Sequence, residues 1–303
     1  MRVVCVGHLL IDVRFLVDRF PSTDEEAEIL EESRGVGGSA ANVAIGTRRL
    51  GLNSAILAKI GLDSFGRMAL DELMKEGVDI SGVRISLTKP TGFSIIARDA
   101  SGSIVIYGFK GAAEDLGPRD IDLKVLKDAN FVHIASLRVE TALHVAIHSK
   151  EMGGLVLWDP GRVISRAGLE KLRGLIEKVD VLLANEKEVK NITGIANIER
   201  AAEILRKMGA QMIIVKRGER GSYIFHEDRR LKVPAFHVDK VVDTTGAGDA
   251  YASGLILALA KGYDVEEATK VASAVAALKV TKLGSHSIPS ESELEEFLKR
   301  HDI

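Results

Sequence analysis

The stretch Val241-Val242-Asp243-Thr244-Thr245-Gly246-Ala247-Gly248-Asp249-Ala250-Tyr251, followed by the apolar run Ala252 to Ala260, decides how the rest of the chain is read. Two glycines one residue apart stand where that run begins. The first backbone N–H groups of a helix have no partner inside it, and the macrodipole makes that end positive. An anion belongs there. Asp249 falls in the first turn of the same helix, where a carboxylate is favoured in its ionised form and can take a proton from a group held against the amides. The pattern predicts a phosphate cradle at Gly246, Ala247 and Gly248 with a base beside it. Tyr251 to Ala260 has no charged face, so this helix is expected to be buried and to mount the cradle rigidly. Short glycine patterns also fit an ordinary capped helix, so the surrounding chain has to decide.

At 303 residues and 46% hydrophobic composition the chain can bury a large core, and length alone suggests two domains. The 41 Lys and Arg against 43 Asp and Glu give a net charge of −2, which provides no broad basic surface for nucleic acid or anionic lipid. Met1 to Val13 is apolar but interrupted by His8 and Asp12, lacks a small-residue cleavage site, and reads as a first buried strand. No run reaches membrane-spanning length. Cys5 is the one cysteine, so neither an internal disulfide nor a cysteine-rich metal site can form. A cytoplasmic protein without nucleic-acid or membrane partners is expected.

Apolar runs recur at Arg2 to Gly7, Ser54 to Ile60, Phe131 to Ala135, Gly154 to Trp158, Val179 to Leu183 and Met212 to Val215, mostly separated by amphipathic helical stretches. That rhythm predicts βαβ units and a parallel sheet covered on both faces. Two regions break it: Val13 to Phe20 with Ala27 to Arg34, and Thr91 to Arg98 with Ser103 to Phe109 around the turn Asp99-Ala100-Ser101-Gly102. They predict a small antiparallel sheet inserted at about 13–36 and 88–110, placed to act as a lid.

Gly35, Gly37 and Ala40, before a helix expected to end near Gly51, match the dinucleotide-binding spacing G-x-G-x-x-A. That fingerprint should follow the first strand directly, yet a polar segment, Glu31 to Arg34, precedes it here, so an NAD-dependent oxidoreductase is the lesser reading.

Taken together, Asp-Thr-Thr-Gly-Ala-Gly-Asp-Ala at 243–250 and the element Gly37, Gly38 and Asn42 closely resemble the two signatures of the ribokinase family of sugar and nucleoside kinases, also called PfkB. The resemblance covers nearly the whole chain. It implies a single domain of three α/β/α layers with a mostly parallel sheet and a β lid. It also implies transfer of the γ-phosphoryl of ATP to a hydroxymethyl group of a sugar, sugar acid, sugar phosphate or nucleoside. Asp249 then corresponds to the base and Gly246, Ala247 and Gly248 to the anion hole; Asp12, Gly37, Gly38 and Asn42 correspond to the acceptor site. Asn185 and Glu188 match an Asn-x-x-Glu element that holds Mg²⁺ through water, and Gly218 and Gly221, preceded by Lys216, match a Gly-x-x-Gly nucleotide loop. Asp243 and Thr245, with the loop from Val280 to Pro289, correspond to a monovalent cation cage, which makes K⁺ a candidate; the loop is one residue shorter than the ribokinase pattern. Lid-to-lid pairing makes a homodimer the expected assembly.

Phosphoryl transfer needs positioning and charge stabilisation more than covalent help, and no Walker A sequence is present. Arg162, after the strand ending at Trp158, is a candidate contact for a substrate anion. Arg138 falls near the position where ribokinase presents a Glu to its sugar, and an Arg there points to an acceptor other than free ribose. Glu140, His144 and His148 share one helix face but lack further ligands, so they read as a solvated face. A nucleoside kinase is the nearer alternative, and a non-catalytic sugar-binding relative the more distant one.

Overall fold

A computed structural model describes residues 1–301. The β-branched run Arg2-Val-Val-Cys-Val-Gly7 forms β1 (Arg2–Gly7), and its side chains alternate between two cores: Val3 and Cys5 join one apolar cluster, Val4 and Val6 the other. A strand buried on both faces belongs at the centre of a covered sheet. Next come β2 (Leu10–Val17), β3 (Ile29–Gly37), β4 (Asn53–Gly61), β5 (Asp79–Ser86), β6 (Thr91–Arg98) and β7 (Ile104–Gly111). They are followed by β8 (Phe131–Ala135), β9 (Leu155–Asp159), β10 (Val181–Asn185), β11 (Met212–Lys216), β12 (Ser222–His226) and β13 (Arg229–Val233).

The main sheet is nine-stranded in the order β13-β12-β11-β10-β9-β8-β1-β4-β5. Every pairing from β11 to β5 is parallel, and β12 and β13 add an antiparallel edge. The helices Ser39–Arg49, Ala247–Ala260 and Val265–Val280 cover one face. Val139–Glu151, Leu169–Ile176 and Ile198–Lys207 cover the other. The cradle helix is buried from Ala250 to Ala258, as its unbroken apolar sequence requires.

The second sheet, β3-β2-β6-β7, is the lid. Its outer pairs are antiparallel and its central pair, β2 with β6, is parallel, because two separate hairpins are laid side by side. The β6–β7 turn closes as its sequence predicts, with Asp99 Oδ1 accepting from the Ser103 N–H at 2.9 Å. The first hairpin runs from Leu10 to Gly37 rather than from Val13 to Arg34. β2 leaves β1 after only two residues, and this places Asp12 inside a strand. The glycines of the apparent dinucleotide fingerprint lie at the end of this antiparallel hairpin and not in a βαβ crossover.

Candidate active site

Asp159, Asn185 and Lys216 are the last residues of β9, β10 and β11, so the sheet delivers all three to one edge, where open α/β folds bind their ligands. The loop Asp243–Gly246 brings the cradle helix to the same edge. Gly246 is left-handed, φ 81°, and a Cβ there would lie 2.0 Å from the Ser285 carbonyl oxygen; only glycine permits this turn. The Ala247 N–H is spent on the Thr244 carbonyl at 3.1 Å, and the Ala250 N–H on Gly246 O at 2.9 Å. Of the three amides read from the sequence, Ala247 is thus engaged in the turn, and the helix offers Gly248 and Asp249 instead.

The Asp249 carboxylate is gripped by a second helix N-terminus. Ser39 Oγ donates to Oδ1, and Asn42 Nδ2 donates to Oδ2 at 2.7 Å. Both donors sit in the first turn of the Ser39–Arg49 helix, which packs closely on the cradle helix: a Cβ on Gly46 would meet Ser253 Oγ at 2.4 Å. Burial raises the Asp249 carboxyl to about 6, and the charge of Asp159 adds to the rise against the opposing bonds from Ser39 and Asn42 and the Lys216 ammonium. Such a carboxyl is ionised at neutral pH, yet basic enough to accept a proton.

Lys216 Nζ donates to Asp159 Oδ2 at 2.6 Å, and a Cβ built on Gly248 would lie 3.2 Å from the same nitrogen. Burial works against this ammonium, but Asp159, then Glu188 and Asp249, outweigh it and hold the group above the ordinary lysine range. A fixed positive charge therefore stands against the cradle. Asn185 and Glu188 form a reciprocal cap: each backbone N–H donates to the other's side-chain oxygen at 2.9 Å. Burial, then the neighbouring Asp159, pushes the Glu188 carboxyl up. Asn185, Lys216, Gly218 and Gly221 line one cavity of about 630 Å³ with Gly248 and the apolar wall of Phe236, Val238 and Val280.

Opposite the cradle, Asp12 Oδ2 accepts from Ser285 Oγ at 3.0 Å and from the Arg14 guanidinium at 3.4 Å. A Cβ on Gly37 would lie 2.4 Å from the Asp12 carboxyl, so the glycine lets that carboxylate lie across β3, and Gly38 caps the next helix. Asn42, expected to reach the acceptor, faces the base; its buried Oδ1 has no hydrogen-bond partner. Arg138 stands 3.8–3.9 Å from Asp115 and Glu114. Arg162 is exposed on a short helix after β9. His144 and His148 lie side by side on the outer helix with their rings tilted by 48°, and no set of three metal-ligating side chains converges among the described residues.

At Asp243, Oδ1 accepts from the Thr245 N–H at 2.9 Å and Oδ2 from the Gly284 N–H at 3.0 Å. Its backbone carbonyl accepts from Lys279 Nζ at 2.7 Å. Sequence reasoning missed Arg14, Ser39, Asp159, Lys279 and Ser285. Ser39 lies within the acceptor signature and Ser285 within the loop from Val280 to Pro289, but neither was read as a partner, and only the fold brings Arg14, Asp159 and Lys279 to the two signatures.

The family model for the pfkB family carbohydrate kinases matches residues 1–293. The chain belongs to the PfkB family. It is 34% identical over 299 residues to an ATP-dependent ribose-1-phosphate kinase of Halopiger xanaduensis, covering 98% of each chain. It is 31% identical over 308 residues to a nucleoside kinase of Methanocaldococcus jannaschii, covering 100% of this chain and 98% of the relative. Its fold superposes on that of an Arabidopsis thaliana ribokinase solved with ribose and ATP, with a TM-score of 0.89, 26% identity and 98% of each chain covered. As a PfkB protein it is a kinase that moves the γ-phosphoryl group of ATP to an alcohol of a sugar, sugar derivative or nucleoside, and this displaces the oxidoreductase and binding-protein readings.

Proposed function

We propose that the acceptor is a pentose carrying its own anionic group, a sugar phosphate of the ribose 1-phosphate type, phosphorylated at its hydroxymethyl end. The observation that carries this reading is Arg14. Its side chain is only 16% exposed, and it projects from the lid beside Asp12 with two long contacts from one terminal nitrogen, to Asp12 Oδ2 at 3.4 Å and Ser285 Oγ at 3.5 Å, so most of its donors remain available to a phosphate. Asp12 and the unpartnered Asn42 Oδ1 suit sugar hydroxyls, Arg14 suits the anion, and Arg98 lines the same lid cavity of about 390 Å³. The ribose-1-phosphate kinase resemblance supports the same class. A nucleoside is the second reading, favoured by Phe15, Ile96 and Leu283 in that cavity. A coupled ADP-release assay across ribose, ribose 1-phosphate, keto-deoxy sugar acids and nucleosides separates the two. The phosphorylated pentose should have the highest kcat/KM, and Arg14→Met should raise its KM about ten- to a hundredfold with little change for ATP. A neutral sugar or nucleoside as best acceptor overturns the proposal.

In the mechanism proposed here, Asp249 takes the proton of the hydroxymethyl group, and Asn42 and Ser39 hold its carboxylate in place. The Gly248 and Asp249 amides and the Lys216 ammonium face the charge that develops on the phosphoryl oxygens. Asn185, Gly218 and Gly221 border the nucleotide, and the apolar wall accepts its base. Asn185 and the Glu188 and Asp159 carboxylates form an oxygen donor set suited to Mg²⁺ that keeps its waters. Such an ion supplies charge neutralisation on the phosphates. Arg162 is retained as a candidate contact for the acceptor's anion. At Asp243 a monovalent cation would compete with a fixed positive charge, because the Lys279 ammonium already donates to the carbonyl at 2.7 Å and stands 4.0 Å from Oδ2.

A homodimer through the lid is proposed on the apolar edge strand β7, where Ile104, Ile106, Tyr107 and Phe109 are exposed. Light scattering that shows a monomer at micromolar concentration would contradict it. A cytoplasmic setting suits a kinase that uses ATP and has one buried thiol, Cys5; among the described residues no helix is long and apolar enough to cross a membrane. Fractionation that placed the protein outside the cytoplasm would contradict that setting.

A further inference from the structure

A buried lysine is costly, and the one at the end of the Val265–Val280 helix is fully enclosed: Lys279 has a side-chain exposure of 0%. An ammonium in such a place persists only where oxygens receive it. Here they all come from Asp243. Lys279 Nζ donates to the Asp243 carbonyl at 2.7 Å and stands 4.0 Å from its Oδ2. Burial pulls the lysine down from its ordinary value and Arg14 adds to this, while Asp243 and Asp249 oppose it.

Asp243 is also the knot that ties the cradle's approach. Its Oδ1 binds the Thr245 N–H, one residue before Gly246, and its Oδ2 binds the Gly284 N–H of the following loop. The Val242 and Asp243 N–H groups both bond the Val280 carbonyl, at 2.8 and 3.2 Å, which fixes the strand of loop to the end of the lysine's own helix. A positive charge at this knot screens the Asp243 carboxylate and adds to the field at the N-terminus of the cradle helix.

We propose that the Lys279 ammonium serves as a built-in monovalent cation beneath the cradle, so that the enzyme turns over without K⁺. The side chain is then a positioning residue. It touches neither the acceptor nor ATP, and it acts by holding the Asp243–Gly246 turn and hence the Gly248 and Asp249 amides. An alkali ion would have to compete with a tethered donor already bonded to the same carbonyl. The shortened loop at Val280 to Pro289 fits a cage that no longer has to surround a free ion.

The test compares initial rates in KCl and in choline chloride at equal ionic strength, with Mg²⁺ and ATP saturating. Wild-type rates should agree in the two salts, and thermal unfolding of the wild type should show no K⁺-specific shift. Lys279→Ala opens the space, and its kcat in choline should fall about ten- to a hundredfold, the cost of a displaced catalytic group. K⁺ should restore part of that loss and raise the melting temperature of the variant. Lys279→Met fills the space without charge; its kcat should be low in both salts, and its far-ultraviolet circular dichroism should match the wild type's. Several-fold activation of the wild type by K⁺ overturns the proposal whatever the variants do, and so does an unimpaired Lys279→Ala in choline.

Discussion

The cradle and the lid face each other across the same cleft but are built in opposite ways. On the cradle side each catalytic group is held by a close hydrogen-bonded partner: Asp249 by Ser39 and the buried Asn42, Lys216 by the buried Asp159, Glu188 by Asn185. The backbone there is fixed by contacts that exclude a side chain, as at Gly246. On the lid side, four strands form a separate sheet whose β7 edge is exposed, with Tyr107 at 66%, and whose Arg14 makes only two long contacts, at 3.4 and 3.5 Å. The difference separates two tasks. Transfer chemistry needs preorganised charge and tolerates no play, whereas acceptor choice and closure need a sheet that can move.

This contrast makes changes in the two regions distinguishable by kinetics. The largest effect is expected in the cradle. Asp249→Asn keeps the shape but removes the proton acceptor, so kcat should fall at least about a hundredfold while ATP affinity barely changes. A near-normal kcat would place the base elsewhere. Lid changes should act on binding. Beyond the Arg14→Met effect on KM, Phe109→Lys on β7 should dissociate a lid-mediated dimer in light scattering and change kcat by less than about threefold. A collapse of kcat in that variant would show that the lid shares in the chemistry and erase the distinction drawn here.

The cradle side was the more legible from sequence, for a physical reason. A phosphate cradle is made by contiguous backbone, so Gly246, Gly248 and Asp249 must lie together in the chain and announce themselves. Six of the seven parallel strands were legible too, because burial on both faces forces unbroken apolar runs such as Val181 to Ala184; the edge strand β5 is only partly buried, lacks such a run and was not read. β12 and β13 were not read; Arg229, Arg230 and Lys232 give the edge strand a charged sequence that resembles a solvated loop, as exposed edges favour. Groups supplied across space left no trace in the chain order. Ser39 belongs to the acceptor signature yet grips the base, and Lys279 looked like one more helical lysine until the fold buried it.

The pH dependence of kcat/KM tests the assignment of Asp249 most directly. Burial raises its carboxyl to about 6 in the free enzyme, so the active, ionised form is complete above that value and is lost as the pH falls through it. The wild type should show an acid limb near pH 6 with the slope of one proton. Ser39→Ala, which removes a bond favouring the charged form, should move that limb to higher pH. A wild-type profile that stays flat well below pH 6, or a limb that does not move in Ser39→Ala, would contradict Asp249 as the proton acceptor.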